Sequence, residues 1–524
     1  MVESGRHGVR WRVALGCALV SSLGACASGM DGQTEVDNER DGAASTINPR
    51  RSLIETNQTI LAPVRMGAML DLIATNGDLL PTAALTNNLL FNLYNDSNDS
   101  VFPNLSADFP HRPCDDPLYR AVTNNFPIKC SRAEGNQATG SLTSSPALDG
   151  WEATAVINRI DLAAADGAHC GEQRIIMSRT SSPTRNFVIF EAQIPNPSPS
   201  NDPCACAPLA EFWADLSDEN DVGVRARELG NAFFFGHPTL AQAGFKPFMS
   251  AENFSVGTGQ IRTNNFVDFP WSLREFKIID WNGLMVPVPV PVASNLHAPL
   301  LDDAATDPRA PGCKDAFIGS IPALLDDNPN LMALQVPPHC WDAESPNDFD
   351  QGNYETHINQ TTSPTFFARV QAELQNQSAT ISPAQLARRA TFAGSCIGCH
   401  FETDFADLGN GVTAPPSAGF VHVSEFGSED CGDNTQCFPI SNALKDSFLP
   451  HRARVMADLI NACQGDGPSA AGGGEESSPA LATFDASDLE LPDGSIDIAA
   501  VAQLDAEAKS GSDTIAGVPA GRAH

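Results

Sequence analysis

The sequence predicts an α+β protein, with a sheet-centred antiparallel domain over residues 53–300 and a small helical domain over 363–463. Two observations carry that division. Between residues 151 and 292 the chain repeats short alternating or β-branched runs, "EATAVINRIDL", "EQRIIMSR", "NFVIFEAQI" and "SLREFKIIDW", set off by Gly, Pro and Ser-Pro. From residue 363 to 463 apolar positions recur instead at spacings of three and four, as a helix requires.

The elements follow in order. Residues 53–93 carry helical patterning, as in "APVRMGAMLDLIAT" and "PTAALTNNLLFNLY". The β-rich runs read as an antiparallel meander, interrupted by the helical stretch "LAEFWADLSDENDVGVRARELGNAFFF". In "LMVPVPVPV" the alternating prolines lack the N–H of a central strand, which confines the run to a sheet edge or a polyproline segment. Arg159 and Asp161 alternate along one run, and Glu172 and Arg174 along the next. Residues two apart share a sheet face, so these four predict a cross-strand ion-pair ladder.

Residues 301–362, rich in Pro, Asp and Asn, read as a disulfide-braced loop region. The run "ISPAQLARRATFAGSCIGCH" opens a helix: Ser382 is the N-cap, Pro383 suits the first turn and Gln385 completes a capping box. On a continuous helix Leu386, Arg389, Ala393, Cys396 and His400 share one face. Beyond Cys463 the acidic, Ala- and Gly-rich tail, 464–524, has too few large apolar residues to bury a core and reads as disordered.

At the other end, Arg6, Arg10 and Arg12 precede a short apolar run that closes on Leu23-Gly24-Ala25-Cys26. This is the pattern of a secretory signal peptide over residues 1–25. The cysteine after "LGA" resembles the lipobox of bacterial lipoproteins. That resemblance implies a lipid on Cys26, and Ala27 after it implies the outer membrane. Residues 26–52 are polar and aperiodic, a flexible tether. No later stretch approaches the roughly 20 apolar residues of a membrane helix, so the expected membrane attachment is the lipid anchor alone. The formal charge is −33, and −35 once the three arginines and Glu3 of the leader are removed. Nucleic acid and anionic lipid are therefore poor partners.

An exported chain with 14 cysteines predicts disulfides. Setting aside Cys17, Cys26, Cys396 and Cys399 leaves an even number. Short spacings suggest Cys114 with Cys130, Cys313 with Cys340 and Cys431 with Cys437. Cys170, Cys204, Cys206 and Cys463 supply two further bridges whose pairing stays open.

The pentapeptide Cys396-Ile397-Gly398-Cys399-His400 has three uses: a disulfide beside a bystander histidine, half a zinc site, or covalent attachment of haem. A disulfide leaves His400 unexplained. Zinc needs four ligands, and the later pair Cys431 and Cys437 is spaced too widely for a knuckle. Chance placement of 14 Cys and 11 His in 524 residues gives about 0.01 such pentapeptides per chain. Residues 363–463 thus resemble a mono-haem c-type cytochrome domain on the strength of C-x-x-C-H. The resemblance implies haem c bonded to Cys396 and Cys399, with His400 on the iron.

The loop methionine of common c-type cytochromes is missing here. That leaves His422 in "GFVHVSE" as first candidate for the sixth ligand, then Met456 in an apolar helix stripe, then His451, or a vacant position. Arg389, on the expected His400 face, is a candidate partner of the haem propionates. The stretch "VINRIDLAAADGAHCGEQRIIM" also resembles myxobacterial-type outer-membrane lipoproteins that carry a late C-x-x-C-H. The expected function is single-electron transfer with a redox partner protein. A haem-dependent oxidase or peroxidase and a binding or adhesion lipoprotein are the alternatives. With no phosphate-binding glycine loop, H-E-x-x-H or G-x-S-x-G, hydrolase chemistry has no support.

Overall fold

The computed structural model describes residues 47–79, 150–179, 185–265, 271–281, 283–347, 352–432, 434–464, 500–505 and 507. All lie in one compact unit, Glu35–His524. Cys26, the leader, Cys114 and Cys130 fall outside the described residues, as does "PTAALTNNLLFNLY".

An antiparallel meander organises the molecule. Strands β1 (Ile54–Glu55), β2 (Trp151–Arg159), β3 (His169–Arg179), β4 (Asn186–Pro195), β5 (Gln260–Asn265), β6 (Ser272–Trp281) and β7 (Leu284–Val290) pair in chain order. A short β8 (Ser345–Pro346) joins β6 beside Ser272 and Leu273. The proline-alternating run is β7, at the end of the strand order, where Pro287 and Pro289 have no further strand to serve.

One sheet face is apolar and the other charged. Ile175, Met177, Val188, Phe190, Ile261 and Phe276 are buried on the first, and Phe190 meets Phe254 edge-on there. On the same face Gln173 accepts a hydrogen bond from Trp213 Nε1 in helix α2 (Ala207–Asp218), which follows α1 (Met66–Asn76). The opposite face carries Glu172, Arg174, Glu191, Gln260, Arg262 and Glu275, in register across four strands and all buried. The ladder expected between Arg159, Asp161, Glu172 and Arg174 takes another form: Arg159 pairs with Asp161 in the turn after β2 and Arg174 with Glu172 on its own strand, while the cross-strand pairs run on through β4, β5 and β6. Arg174 pairs with Glu172 and Glu191, and Arg262 with Glu191 and Glu275. A buried charge is tolerated only when paired, and here each arginine bridges two carboxylates.

The 301–362 region is more regular than expected. It contains α3 (Ala310–Gly319), which buries Cys313 and Phe317 one turn apart. Two helices follow, α4 (Pro364–Asn376) and α5 (Pro383–Gly394), and α6 (Leu449–Cys463) closes the helical part. The tail also departs from its expectation: residues 500–505 are helical, with Val501 and Asp505 buried. Composition missed this because a single turn needs only one apolar contact and one buried ion pair. Among the described residues no helix is long and apolar enough to cross a membrane.

Among the described residues four disulfides are present: Cys170–Cys206, Cys204–Cys463, Cys313–Cys340 and Cys431–Cys437. The last two match the short-spacing pairs. The first two resolve the open pairing and tie β3 and the end of α6 to the start of α2.

Candidate functional site

Ser382 begins α5 as expected, its Oγ accepting from Gln385 N while Gln385 Oε1 accepts from Ser382 N. The helix does not run on to the pentapeptide. It ends at Gly394, and Ser395 turns extended, with φ −127° and ψ 130°. The chain then re-enters helical conformation, and residues Gly398–Glu402 form a π-type turn. Gly398 makes this possible, because a Cβ there would lie 1.9 Å from the Thr391 carbonyl oxygen. The single face shared by Arg389, Cys396 and His400 therefore does not exist.

Arg389 is committed elsewhere. Its buried guanidinium donates to the carbonyls of Leu408, Leu324 and Asp326 and pairs with Asp327 at 2.7 Å. It clamps loops together and is no longer a propionate candidate. Arg388 pairs with Glu355.

The break presents Cys396 and His400 towards the charged sheet face, while Cys399 packs in the main apolar core. Cys396 and Ile397 pack with Trp271, Leu273 and Val292, and Leu273 shares its face with Glu275. Burial pushes the Cys396 thiol up to about 11, against the pull of Arg262. His400 Nδ1 lies 3.0 Å from the Phe420 carbonyl oxygen. A carbonyl can only accept, so the proton sits on Nδ1 and the ring's lone pair on Nε2. Burial holds His400 neutral, down to about 4.

His422 is brought to the same place. Its ring centre is 4.6 Å from that of His400, and its Nε2 is 3.5 Å from Cys399 Sγ. Its Nδ1 is 2.8 Å from Ser441 Oγ. Burial first, then His400 and Arg452, keep its pKa well below the ordinary value. Met456 lies instead in the core of α6, its Sδ accepting from Asn158 Nδ2 on β2. His451 is half-buried in the first turn of α6.

Aromatic rings surround the pair. Trp271 stacks on His400 at 5.8 Å and lies 6.0 Å from Phe420, which stacks on Phe401 at 4.2 Å. Phe448 meets His422 edge-on. Sequence reasoning missed Trp271, Phe420 and Ser441, which have no signal of their own. It also missed Arg262 and Glu275, although "LREFK" sets Glu275 and Lys277 two apart as the first hairpin sets Glu172 and Arg174.

No family model, curated protein or solved structure matches the chain.

The side chains bear on the disulfide and zinc uses of the pentapeptide. Among the described residues Cys396 and Cys399 are the cysteines that remain thiols, while eight others are bridged. The described group with ligand atoms mutually within 4.8 Å is Cys313, His339 and Cys340, where the two sulfurs are already joined to each other. Cys396, Cys399, His400 and His422 do not converge on one point in that way, as four ligands of a zinc ion must. Two thiols and a neutral imidazole are the donor set that covalent attachment of a haem would use.

Proposed function

We propose that this protein binds haem c covalently and transfers single electrons, tethered to the outer membrane through a lipid on Cys26. One observation carries the reading. In a chain that bridges every other described cysteine, Cys396 and Cys399 stay thiols, next to an imidazole whose Nδ1 is held by a backbone carbonyl. A metal-bound histidine needs that same second bond to fix its tautomer and orientation.

Cys396 and Cys399 would hold the macrocycle through thioethers, and His400 Nε2 would bind the iron. The bound group supplies a one-electron couple whose potential depends on its axial ligands and on burial. The chain supplies the rest. Phe420 orients His400, Trp271 walls one side of it, and Ser441 holds His422, which would be the candidate for a second nitrogen ligand. Burial keeps both imidazoles neutral, the form a metal requires. The charged sheet face holds fixed, paired charges behind Cys396, so a change of one charge meets a rigid polar surrounding rather than loose water.

The test is a pyridine haemochrome spectrum and a carbon monoxide difference spectrum, on protein from a host with haem-attachment machinery. A c-type spectrum that resists carbon monoxide supports the carrier. Ready carbon monoxide binding selects the haem oxidase or peroxidase, and colourless protein removes both.

A further inference from the structure

Large apolar side chains are seldom left in water together, and a contiguous group of them marks an interaction surface. Among the described residues the exposed large hydrophobics are Phe235, Leu331, Phe401, Phe405 and Phe426. Three of these five belong to the short stretch 401–426 that follows His400. Phe405 is 72% exposed, Phe426 55% and Phe401 42%. Phe401 lies flat on the half-buried Phe420, with an interplanar angle of 12°. Arg185, whose Nη1 donates to the Gly419 carbonyl, sits over the Phe426 ring at 5.1 Å and so ties Phe426 to the backbone just before Phe420.

The backbone is strained to hold them there. Phe405 and Phe420 both have positive φ, +61° and +66°. A bulky side chain rarely adopts that region, and such outliers gather at functional surfaces.

The stretch itself is acidic. Between Arg389 and Lys445 the sequence has no Lys or Arg, against seven Asp and Glu, of which Glu425 pairs with Arg185 and Glu429 with Arg50 and Lys445. Glu402 and Asp404 flank the aromatic pair Phe401 and Phe405 and are half-exposed, and Asp430 is exposed. The whole chain carries −33. An apolar centre with an acidic rim complements a partner with an apolar spot ringed by Lys and Arg. The surface also leads inward, since Phe401, Phe420, Trp271 and His400 touch ring to ring.

We propose that Phe401, Phe405, Phe420 and Phe426 form the docking surface for a basic redox protein, at the mouth of the His400 site. The redox character of the partner rests on the haem reading above. The surface itself rests on exposure and charge.

Calorimetric binding of a small basic cytochrome, beside an acidic cytochrome of like size, tests it and needs no haem in this protein. The basic probe should bind at low ionic strength and weaken at about 0.5 M salt, where screening shortens to a few Å. The acidic probe should not bind. Phe405→Asn, which suits a left-handed backbone, and Phe426→Ser should each weaken binding about tenfold. Phe235→Ser, at an equally exposed phenylalanine outside the stretch, should leave it unchanged. Equal binding of both probes, or wild-type affinity in both Phe405→Asn and Phe426→Ser, overturns the docking surface. So does self-association of the wild type that Phe405→Asn abolishes, which would assign the surface to a second copy. Colourless protein that still binds the basic probe defeats the haem reading and leaves the docking surface standing.

Discussion

Lys277, fully buried on β6, forms an ion pair with Asp505 at 3.3 Å, so a residue of the acidic tail neutralises charge inside the sheet domain. Asp505 also accepts from Gly257 N, and Lys277 donates to the carbonyls of Thr258 and Gly259. Removing one partner of a buried pair costs about 3–5 kcal/mol. Asp505→Ala should therefore lower unfolding free energy by about 3 kcal/mol in urea titration. It should also expose residues 500–505 to protease, and wild-type stability would mean that the tail only rests on the sheet.

The two thiols can be counted. Protein made without haem attachment, unfolded without reductant, should be alkylated at Cys396 and Cys399, and the haem-loaded protein at neither. Peptide mapping by mass spectrometry reads this directly. In the folded apoprotein, labelling of Cys396 at pH 8 should be slow, since burial pushes its pKa to about 11 and only the thiolate reacts.

The same shift gives a pH dependence. The folded pKa of Cys396 lies above its ordinary value of 9.0. Its contribution to stability is complete below about 9 and disappears as pH rises through about 11, because the unfolded thiol ionises first. Denaturant midpoints should fall over that window in apoprotein. With Cys396 bound as a thioether that loss should vanish, and equal alkaline loss in both forms would contradict the assignment.

His422→Ala tests the second ligand. The wild type should be low-spin and closed to carbon monoxide, and the variant should shift to high-spin and bind it. An unchanged spectrum in His422→Ala together with a changed one in Met456→Ala would move the ligand to α6, at the expense of the packing seen there.

Cys463→Ser opens the bridge to Cys204, which spans 259 residues. Chain entropy alone predicts a loss of about 5 kcal/mol for so long a loop. Hydrogen exchange should rise along α6 first, and Arg452 with it, since α6 would lose its covalent tie to the start of α2.

Much of this architecture is legible in the residues. The period of two from Trp151 onward, the prolines of β7 and the box at Ser382 each act locally, and each appears where it was read. The charged sheet face was legible at Glu172 and Arg174 for the same reason, but the partners across the strands, Glu191, Arg262 and Glu275, were not. What could not be read depends on contacts between distant parts. The end of α5 at Gly394 is invisible to periodicity, since Ala393, Cys396 and His400 keep helical spacing across an extended Ser395. Arg389 carries the same charge whether it faces a bound carboxylate ligand or, as here, backbone carbonyls and Asp327. The pairing of Cys170 with Cys206 and Cys204 with Cys463 is set by the fold, because the spacing of four cysteines permits three arrangements. His422 could be named from sequence, but its approach to His400 depends on a loop with no periodic signal.

The Cys204–Cys463 bridge sets an order of events. Its second sulfur follows its first by 259 residues, so the bridge cannot close until the pentapeptide has been made. In the folded chain Cys396 and Cys399 are buried. The long bridge is a late clasp: the whole pentapeptide lies inside the loop it closes, and a reagent for the two thiols meets them most readily before the chain has folded around them.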